Sequence, residues 1–445
     1  MTRRIVNFLV TLLPRALVGR FARDTGILAL GVILAHAISL AAIPIITRLF
    51  TPQEFGVFSN FAALVGTVGA FACLYFEAAI PLAKNAREAT CTLAISLMAT
   101  ATITCGCILA VMMLGNLIVS ILNVPELRTI LWLFPLNVAL IGIFQGCSYW
   151  VLTKKYFSTL SGSRIGQSLS VTGVQIFAGM SSSGSAGLIH GQVFGQLIAT
   201  SIVGAHVLRS LWELLKSPAE SLATIATCAR RYRELVLFGS WGTLMVSAAY
   251  QVVPVVLSSM YGPVTAGIYF ISYRVGNVPV ALLGSSMSQV MLQRAAERVA
   301  RGQPLADLVE RMLSTLIQTG VIPFLLLAIF APSAFSLAFG REWQSAGEFF
   351  RILAPLFFLQ YLTVPVSAVM IALQKQKVIA KLQTAMLIGA MLSLLAGYVY
   401  FGTPTASLTL YVVTECAIYC VYLGVILSCS SASGRRIIKA LVNKR

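Results

Sequence analysis

The stretch that decides the fold is AAIPIITRLFTPQEFGVFSNF, residues 41–61, which ends one long apolar run and begins the next. Pro44 and the Thr51-Pro52 pair are predicted to end the first helix and to shape a short turn. Proline lacks a backbone N–H and disfavours helical backbone at the preceding residue. Gly56 is predicted to allow close packing where the second helix begins. The stretch therefore indicates a hairpin between two apolar helices.

The composition extends this interpretation to the whole chain. Of 445 residues, 58% are hydrophobic and only 10% are charged, and the mean hydropathy is +0.87. About a quarter of the residues of a soluble domain are charged. Apolar stretches of about 20 residues, the length that crosses a bilayer, recur along the chain without the short alternating segments of a barrel. The predicted fold class is an all-α membrane protein.

Twelve transmembrane helices are predicted, at about 25–47, 57–81, 90–113, 129–152, 160–180, 187–208, 235–258, 265–291, 313–332, 349–373, 378–401 and 406–429. Of the 32 lysines and arginines, 26 lie in the N-terminal lead, in alternate loops and in the C-terminal tail, and four lie in the intervening loops. The positive-inside rule then places both termini in the cytoplasm. The outward loops are too short for a folded catalytic domain, so an enzyme is not predicted.

An internal repeat divides the chain into two halves. IPIITRLFTPQEFGVF (43–58) matches VPVVLSSMYGPVTAGIYF (253–270), so that Pro44 aligns with Pro254, Pro52 with Pro263 and Gly56 with Gly267. Two copies in the same orientation indicate a parallel repeat, as in many secondary transporters, with substrate bound between the lobes. The predicted organisation is a basic amphipathic lead (1–24), an N-lobe (25–208), a cytoplasmic linker (209–234), a C-lobe (235–429) and a basic tail (430–445).

Two ionisable residues lie at matching depths in the predicted helices 8 and 12. A charge at the bilayer centre costs about 2.5–3.5 kcal/mol or more, so Arg274 and Glu415 are candidate functional residues. In one interpretation Arg274 lines a cavity and attracts an anionic substrate, while Glu415 balances its charge or takes up a coupling proton. In the other, the two form an ion pair that only fastens helices together.

Four further residues are candidates with two interpretations each. His36, at mid-depth in helix 1, is either a packing histidine or a cavity-lining donor or proton site. Glu77 and Arg164, near the cytoplasmic surface, either form a gate or pair, or extend to the interface. Arg48, on the outward side, is either an interfacial anchor or a basic group at the cavity mouth.

The sequence resembles a known family over residues 25–90, and more weakly over 235–295. The resemblance rests on three segments: the basic lead, PIITRLFTPQEFGVF at 44–58 and EAAIPLAKNAREA at 77–89. These are similar to the Wzx-type polysaccharide transporters, flippases of the multidrug/oligosaccharidyl-lipid/polysaccharide exporter superfamily. The resemblance implies a two-lobed protein of the bacterial inner membrane that flips undecaprenyl-pyrophosphate-linked oligosaccharide, the repeat unit of O-antigen, capsule or exopolysaccharide, by alternating access.

Two rival functions remain open from the sequence. A multidrug or organic-cation antiporter has the same topology but is expected to line its cavity with carboxylates and aromatics. A polysaccharide polymerase or ligase is expected to have a large outward loop. The predicted partners are the lipid-linked glycan, membrane lipids, H+ or Na+, and polysaccharide polymerase and assembly proteins. No nucleic acid is predicted, because the basic residues that give the net charge of +18 cluster in loops as the topology predicts. No metal or cofactor is predicted either, because the nine cysteines offer no pair at metal-ligand spacing that faces water and the sequence contains no Walker motif.

Overall fold

The computed structural model describes residues 20–215 and 218–432. This part of the chain consists of twelve α-helices and three short 3-10 helices, Phe76–Leu82, Pro125–Thr129 and Arg341–Trp343, with no strand. The α-helices are α1 (Arg20–Leu49), α2 (Pro52–Gly69), α3 (Ala86–Leu122), α4 (Leu133–Thr153), α5 (Phe157–Met180), α6 (Gly184–Leu215), α7 (Pro218–Tyr261), α8 (Pro263–Ala300), α9 (Ala306–Phe339), α10 (Gln344–Ala372), α11 (Gln376–Phe401) and α12 (Pro404–Ser430).

Each predicted transmembrane helix overlaps one of these α-helices. Within the described residues, nine of them are long and apolar enough to cross a bilayer, and α2, α5 and α8 fall short of that criterion. The helical fold class is confirmed for this part of the chain, and the crossing of the membrane by all twelve stays a prediction. Two of the three less apolar helices, α5 and α8, carry Arg164 and Arg274.

The structure corrects the prediction around residues 41–82. Pro44 does not end the first helix, because α1 continues through it to Leu49 and Thr47 Oγ1 bonds back to the Ile43 carbonyl at 2.9 Å. The second helix begins at Pro52 rather than at 57. It also ends at Gly69 rather than at 81, and a turn leads from there into the 3-10 helix.

The start of α2 has a local explanation in the sequence TPQE. The Thr51 backbone N–H donates to Glu54 Oε2 at 2.7 Å, and the Glu54 N–H donates in return to Thr51 Oγ1 at 3.4 Å. This is a capping box, in which a hydroxyl and a carboxylate three residues apart satisfy two free backbone donors. Pro52 follows at the first helical position, where no N–H bond is lost.

The predicted cytoplasmic linker at 209–234 is helical wherever it is described. α6 runs on to Leu215, and α7 already begins at Pro218, 17 residues before the predicted start of helix 7 at 235. The sequence in this region is amphipathic and was not apolar enough to be predicted as part of a transmembrane helix. α7 extends to the N-terminal side of the apolar run that begins at 235, because residues 219–234 contain no proline or glycine that would break the helix.

The chain divides into two compact units, Met1–Phe50 with Phe61–Ser247, and Thr51–Asn60 with Ala248–Arg445, each known for its described residues. In the first, α5 packs against α1 and α6, and α4 packs against α3 and α6. Its core includes the buried side chains of Leu93, Phe144 and Trp150. In the second, α10 packs against α8, α9 and α12. The lobe boundaries inferred from the repeat stay a prediction.

The two copies of the repeat meet inside the second unit. A Cβ atom added to Gly56 would lie 1.8 Å from the Pro263 carbonyl oxygen, and one added to Gly267 would lie 2.0 Å from the Pro52 carbonyl oxygen. The glycine of each copy therefore faces the backbone of the other copy's proline. Only glycine leaves room for such an approach, because any side chain would enter the opposing backbone.

Aromatic rings surround this contact on the side of α8 and α10. Phe58 packs edge-on to Phe270 with ring centroids 5.5 Å apart, and Phe55 packs edge-on to Trp343 at 5.2 Å. Phe55, Phe58 and Trp343 are all buried. Because edge-to-face pairs add stability beyond their buried area, these rings fix the first turns of α2 on the second unit.

Substitution of either glycine is predicted to destabilise the protein. Gly56→Ala and Gly267→Ala must push α2 and α8 apart, at a cost of about 1–3 kcal/mol each. The measurement is the thermal unfolding midpoint of the purified protein in detergent. Gly424→Ala on α12 is the matched control, because no neighbouring atom lies within 4 Å of its added methyl. Equal midpoints for all three variants would contradict the close approach.

Candidate functional site

Arg274 and Glu415 occupy equivalent heights on two helices of the second unit. Each lies eleven residues after the proline that begins its helix, Pro263 in α8 and Pro404 in α12, which is about 16 Å along the axis. Across the described residues, the structure shows no ion pair between them. This arrangement gives no support to the interpretation in which Arg274 and Glu415 fasten helices together as a pair, and the roles of both residues stay predictions.

The Arg274 guanidinium lies over an aromatic ring and forms no ion pair with a described carboxylate. Its guanidinium carbon lies 5.9 Å from the centroid of the Phe270 ring, one turn earlier on α8, and its side chain is half-buried. A cation over a ring face is stabilised by the ring quadrupole, by about 0.5–2 kcal/mol according to burial. The ring orients the guanidinium and leaves its five N–H donors available for an anion.

Glu415 is buried among tyrosines. Only 5% of the residue is exposed, and its Oε1 has no hydrogen-bond partner in the part of the chain described. The carboxylate interacts electrostatically with five tyrosine side chains, Tyr250, Tyr269, Tyr273, Tyr411 and Tyr419. We call Glu415 and these five residues the tyrosine cage. A buried carboxylate with an unsatisfied oxygen suits a site that takes up a proton or a cation.

The tyrosine cage was missed from the sequence, although part of its signal is there. Tyr411, Glu415 and Tyr419 lie at i, i+4 and i+8 on one face of α12, and Tyr269 and Tyr273 lie at i and i+4 on α8. The rings of Tyr269 and Tyr273 stack with centroids 5.7 Å apart. The spacing in the sequence predicts each of these two rows of tyrosines separately. It does not predict that α8 and α12 both pack against α10, which brings the two rows near the same carboxylate.

Glu77 is the corresponding buried carboxylate of the first unit. It lies in the 3-10 helix after α2, is 6% exposed, and its Oε2 has no partner among the described residues. Its carboxylate interacts with Cys73 and Tyr149. Leu74 and Tyr75 just before it have φ values of 49° and 62°, a left-handed backbone that costs residues with a side chain about 1–3 kcal/mol each.

Arg164 does not meet Glu77. Over the residues that the structure covers, the two form no ion pair, so the interpretation as a pair has no support here, and a gate or extension to the interface stays a prediction. The Arg164 guanidinium lies 4.7 Å from the centroid of Phe144 on α4, and the side chain is exposed. Arg164 in the first unit thus has the same surroundings as Arg274 in the second, a phenylalanine face and no carboxylate.

His36 and Arg48 lie on exposed parts of α1. Ser168 of α5 bonds to Ser39 Oγ at 2.9 Å and donates to the Ala35 carbonyl at 2.8 Å, so this face of α1 packs on α5. His36 is exposed, which does not favour the packing interpretation, and its role stays a prediction. Arg48 is exposed in the last turn of α1, where a cation is stabilised by the helix dipole.

A polar junction that the sequence did not predict joins the start of α3 to α7. Glu88 accepts from Arg231 Nη1 at 2.9 Å and from the Tyr232 hydroxyl at 3.4 Å, and it caps the Lys84 N–H at 2.9 Å. Burial, together with the nearby Glu88 carboxylate, raises the pKa of the Tyr232 hydroxyl. The junction holds the N-terminal turns of α7 on the first unit, so its role is structural.

Solved structures of transporters have the same fold. The chain is similar to lipid II flippase MurJ in an inward closed conformation over 94% of this chain and 90% of that one, with a TM-score of 0.71 and 12% identity. It is also similar to an inward-facing multidrug resistance MATE family transporter of the MOP superfamily, over 89% and 94%, with a TM-score of 0.68 and 14% identity. At these identities the likeness establishes the fold alone, which this chain shares with those two proteins.

The family follows from the sequence itself. The family model described as polysaccharide biosynthesis protein matches residues 45–348, about two thirds of the chain, and the protein belongs to that family. The resemblance carried by residues 25–90 is confirmed. A search of curated protein sequences gives no match.

Replacement of the Glu415 carboxylate is predicted to leave the fold intact. Glu415→Gln keeps the shape and removes a charge that has no partner at Oε1, so the thermal midpoint in detergent stays level or rises. Glu342→Gln, at an exposed acid of the same unit, is the control and changes the midpoint little. A midpoint that falls by several degrees only in Glu415→Gln would mean that the carboxylate is a structural acceptor.

Proposed function

We propose that this protein is a flippase that moves undecaprenyl-pyrophosphate-linked oligosaccharide across the bacterial inner membrane by alternating access. The observation that carries the proposal is the match of residues 45–348 to the polysaccharide biosynthesis family. The fold supports it, because a solved structure of the same fold is a lipid II flippase. O-antigen, capsule and exopolysaccharide repeat units all fit the proposed cargo.

The arginines supply the chemistry that a pyrophosphate needs. Arg274 and Arg164 each lie over a phenylalanine ring with no carboxylate partner among the described residues, so their donors are available to phosphate oxygens. A guanidinium matches phosphate geometry with two parallel hydrogen bonds. In this proposal the arginines bind the head group, with His36 and Arg48 as further substrate contacts, while the polyprenyl chain stays in the lipid.

The buried carboxylates are proposed to couple transport to an ion gradient or to balance charge. Glu415 and Glu77 each have one oxygen without a partner in the described part of the chain, in surroundings of tyrosine and cysteine rather than arginine. A group that is costly to bury as an anion is driven to bind H+ or Na+ when water leaves it. Uptake and release of that ion would bias the two access states.

A multidrug or organic-cation antiporter is the second candidate, and the tyrosine cage is the observation that favours it. A buried carboxylate that interacts with several aromatic side chains is a chemistry that recognises an organic cation. The MATE transporters of the same fold are named for multidrug resistance. Polysaccharide polymerase or ligase activity is the least favoured function, and polymerase and assembly proteins are proposed partners instead.

Loss of the Arg274 guanidinium is predicted to abolish glycan export. Arg274→Ala lowers surface polysaccharide by more than about tenfold at normal abundance in the membrane, because the anionic head group loses a charged bidentate donor. Arg274→Lys restores part of the export, since an ammonium keeps the charge without the planar fork. The measurement is surface glycan on cells that carry the variant as the sole copy. Arg341→Ala, at an exposed arginine of the same unit, should export normally.

Cells that lack the chain are predicted to accumulate lipid-linked repeat units in the cytoplasmic leaflet. The expected reason is that head-group transfer through the hydrocarbon region is too costly without the protein. The measurement is the accessibility of the accumulated glycan to an outside glycosidase or lectin. Accessible, unpolymerised units would favour the polymerase. Unchanged glycan with increased sensitivity to organic cations would favour the antiporter.

A further inference from the structure

A concave site lies between the C-terminal end of α8 and the first turns of α9, within the second unit. Its volume is about 530 Å³, within the range of about 300–1,000 Å³ that ligand pockets have. We call it the hairpin pocket. Four arginines dominate its lining, which consists of Arg294, Glu297, Arg298, Arg301, Gln303, Leu308, Arg311, Met312 and Thr315.

The lining of the hairpin pocket carries four arginines and one acid. Throughout the described chain, none of its four guanidinium groups forms an ion pair. Glu297, the one acid in the lining, accepts a hydrogen bond from Gln293 Nε2 at 3.2 Å. Like charges gathered around one concavity repel, so an anion bound there would relieve the repulsion.

The arginines come from two helices and one of them is held in place. Arg294 and Arg298 lie at i and i+4 on α8, Arg301 at i+7 caps the C-terminal end of that helix, and Arg311 approaches from α9. Arg298 Nη1 donates to the Pro304 carbonyl at 2.9 Å across the turn. Leu308, which is buried, and Met312, which is half-buried, form the apolar floor.

General rules account for only part of this arrangement. Basic residues at a helix C-terminus are stabilised by the helix dipole, which explains Arg298 and Arg301. The positive-inside rule explains an excess of arginine in a cytoplasmic loop. Neither rule requires Arg294, almost two turns before the end of α8, and Arg311, on the next helix, to face the same cavity.

The surroundings favour a ligand that has an acyl chain. Val290 is an exposed apolar side chain one turn before Arg294 on the same face of α8, and Leu292 and Val299 are exposed on the other side of that helix. By the predicted topology this end of α8 lies at the cytoplasmic surface of the bilayer, where anionic lipids attract basic groups. A polar basic cavity next to an exposed apolar helix surface matches a head group whose tails remain in the membrane.

We propose that the hairpin pocket binds the phosphate head group of an anionic phospholipid of the cytoplasmic leaflet. Arg294 of α8 and Arg311 of α9 bind the phosphate by charge-assisted hydrogen bonds. The bound lipid then anchors the α8–α9 hairpin at the membrane surface. The site is separate from the arginines proposed to bind the transported cargo.

The test is lipid binding by the full chain. The purified protein in detergent is titrated with phosphatidylglycerol or with phosphatidylcholine of the same acyl chains, and retained lipid is measured by native mass spectrometry. Phosphatidylglycerol should bind selectively, and Arg294→Gln with Arg311→Gln should weaken it by about tenfold to thirtyfold. Lys375→Gln with Lys377→Gln removes the same charge from exposed positions elsewhere in the unit and should change binding less than threefold.

Three results would overturn the proposal. Equal retention of phosphatidylcholine would mean that the head-group charge is not recognised, and an equal loss in the lysine control would mean that net charge alone attracts the lipid. Displacement of the lipid by millimolar inorganic pyrophosphate, with no dependence on acyl chains, would assign the hairpin pocket to a soluble phosphate. The thermal midpoint of each variant shows that the folded protein is being compared.

Discussion

The structure depends on the reciprocal contact between two glycines and two prolines at the starts of α2 and α8. Gly56 faces the Pro263 backbone and Gly267 faces the Pro52 backbone, so each copy of the repeat needs the small residue of the other. Residues 51–60 belong to the second unit through this contact, while the rest of α2 belongs to the first. The absence of a side chain at Gly56 and Gly267 thus allows the first turns of α2 to pack on α8 in the second unit.

Four charged side chains in the two units, two arginines and two buried carboxylates, form no ion pair among the described residues. Arg164, which is exposed, and Arg274, which is half-buried, lie over Phe144 and Phe270, and the carboxylates of Glu77 and Glu415 interact electrostatically with tyrosines. An ion pair between an arginine and a carboxylate would lower the free-energy cost of burying both charges. An arrangement without such pairs therefore points to a functional role for these residues and not to a role in stability. Each unit thus contains one such arginine and one such carboxylate, although the repeat does not relate them, because Arg274 aligns with Ala63 and not with Arg164.

Basic residues outside the apolar helices do more than orient the chain. Arg231 holds the start of α7 on Glu88, and Arg298 closes the turn after α8 by bonding to Pro304. Charge counting assigns all of these to one cytoplasmic face, because the rule uses only their number and position in the sequence. Which arginine is structural and which is available to a ligand depends on the carboxylates and carbonyls that the fold brings near it.

The sequence by itself determined the helical membrane class, the repeat of Pro52 and Gly56 at Pro263 and Gly267, the family and the ionisable residues within apolar runs. These follow from composition, spacing and local chemistry, which act over a few residues. Only the tertiary structure decided that Arg274 with Glu415 and Glu77 with Arg164 form no ion pair among the described residues, and that tyrosines of α7, α8 and α12 interact with one carboxylate. The burial and the contacts of a side chain depend on how helices pack against one another. The periodicity of one helix does not show which side chains of a neighbouring helix will lie against it.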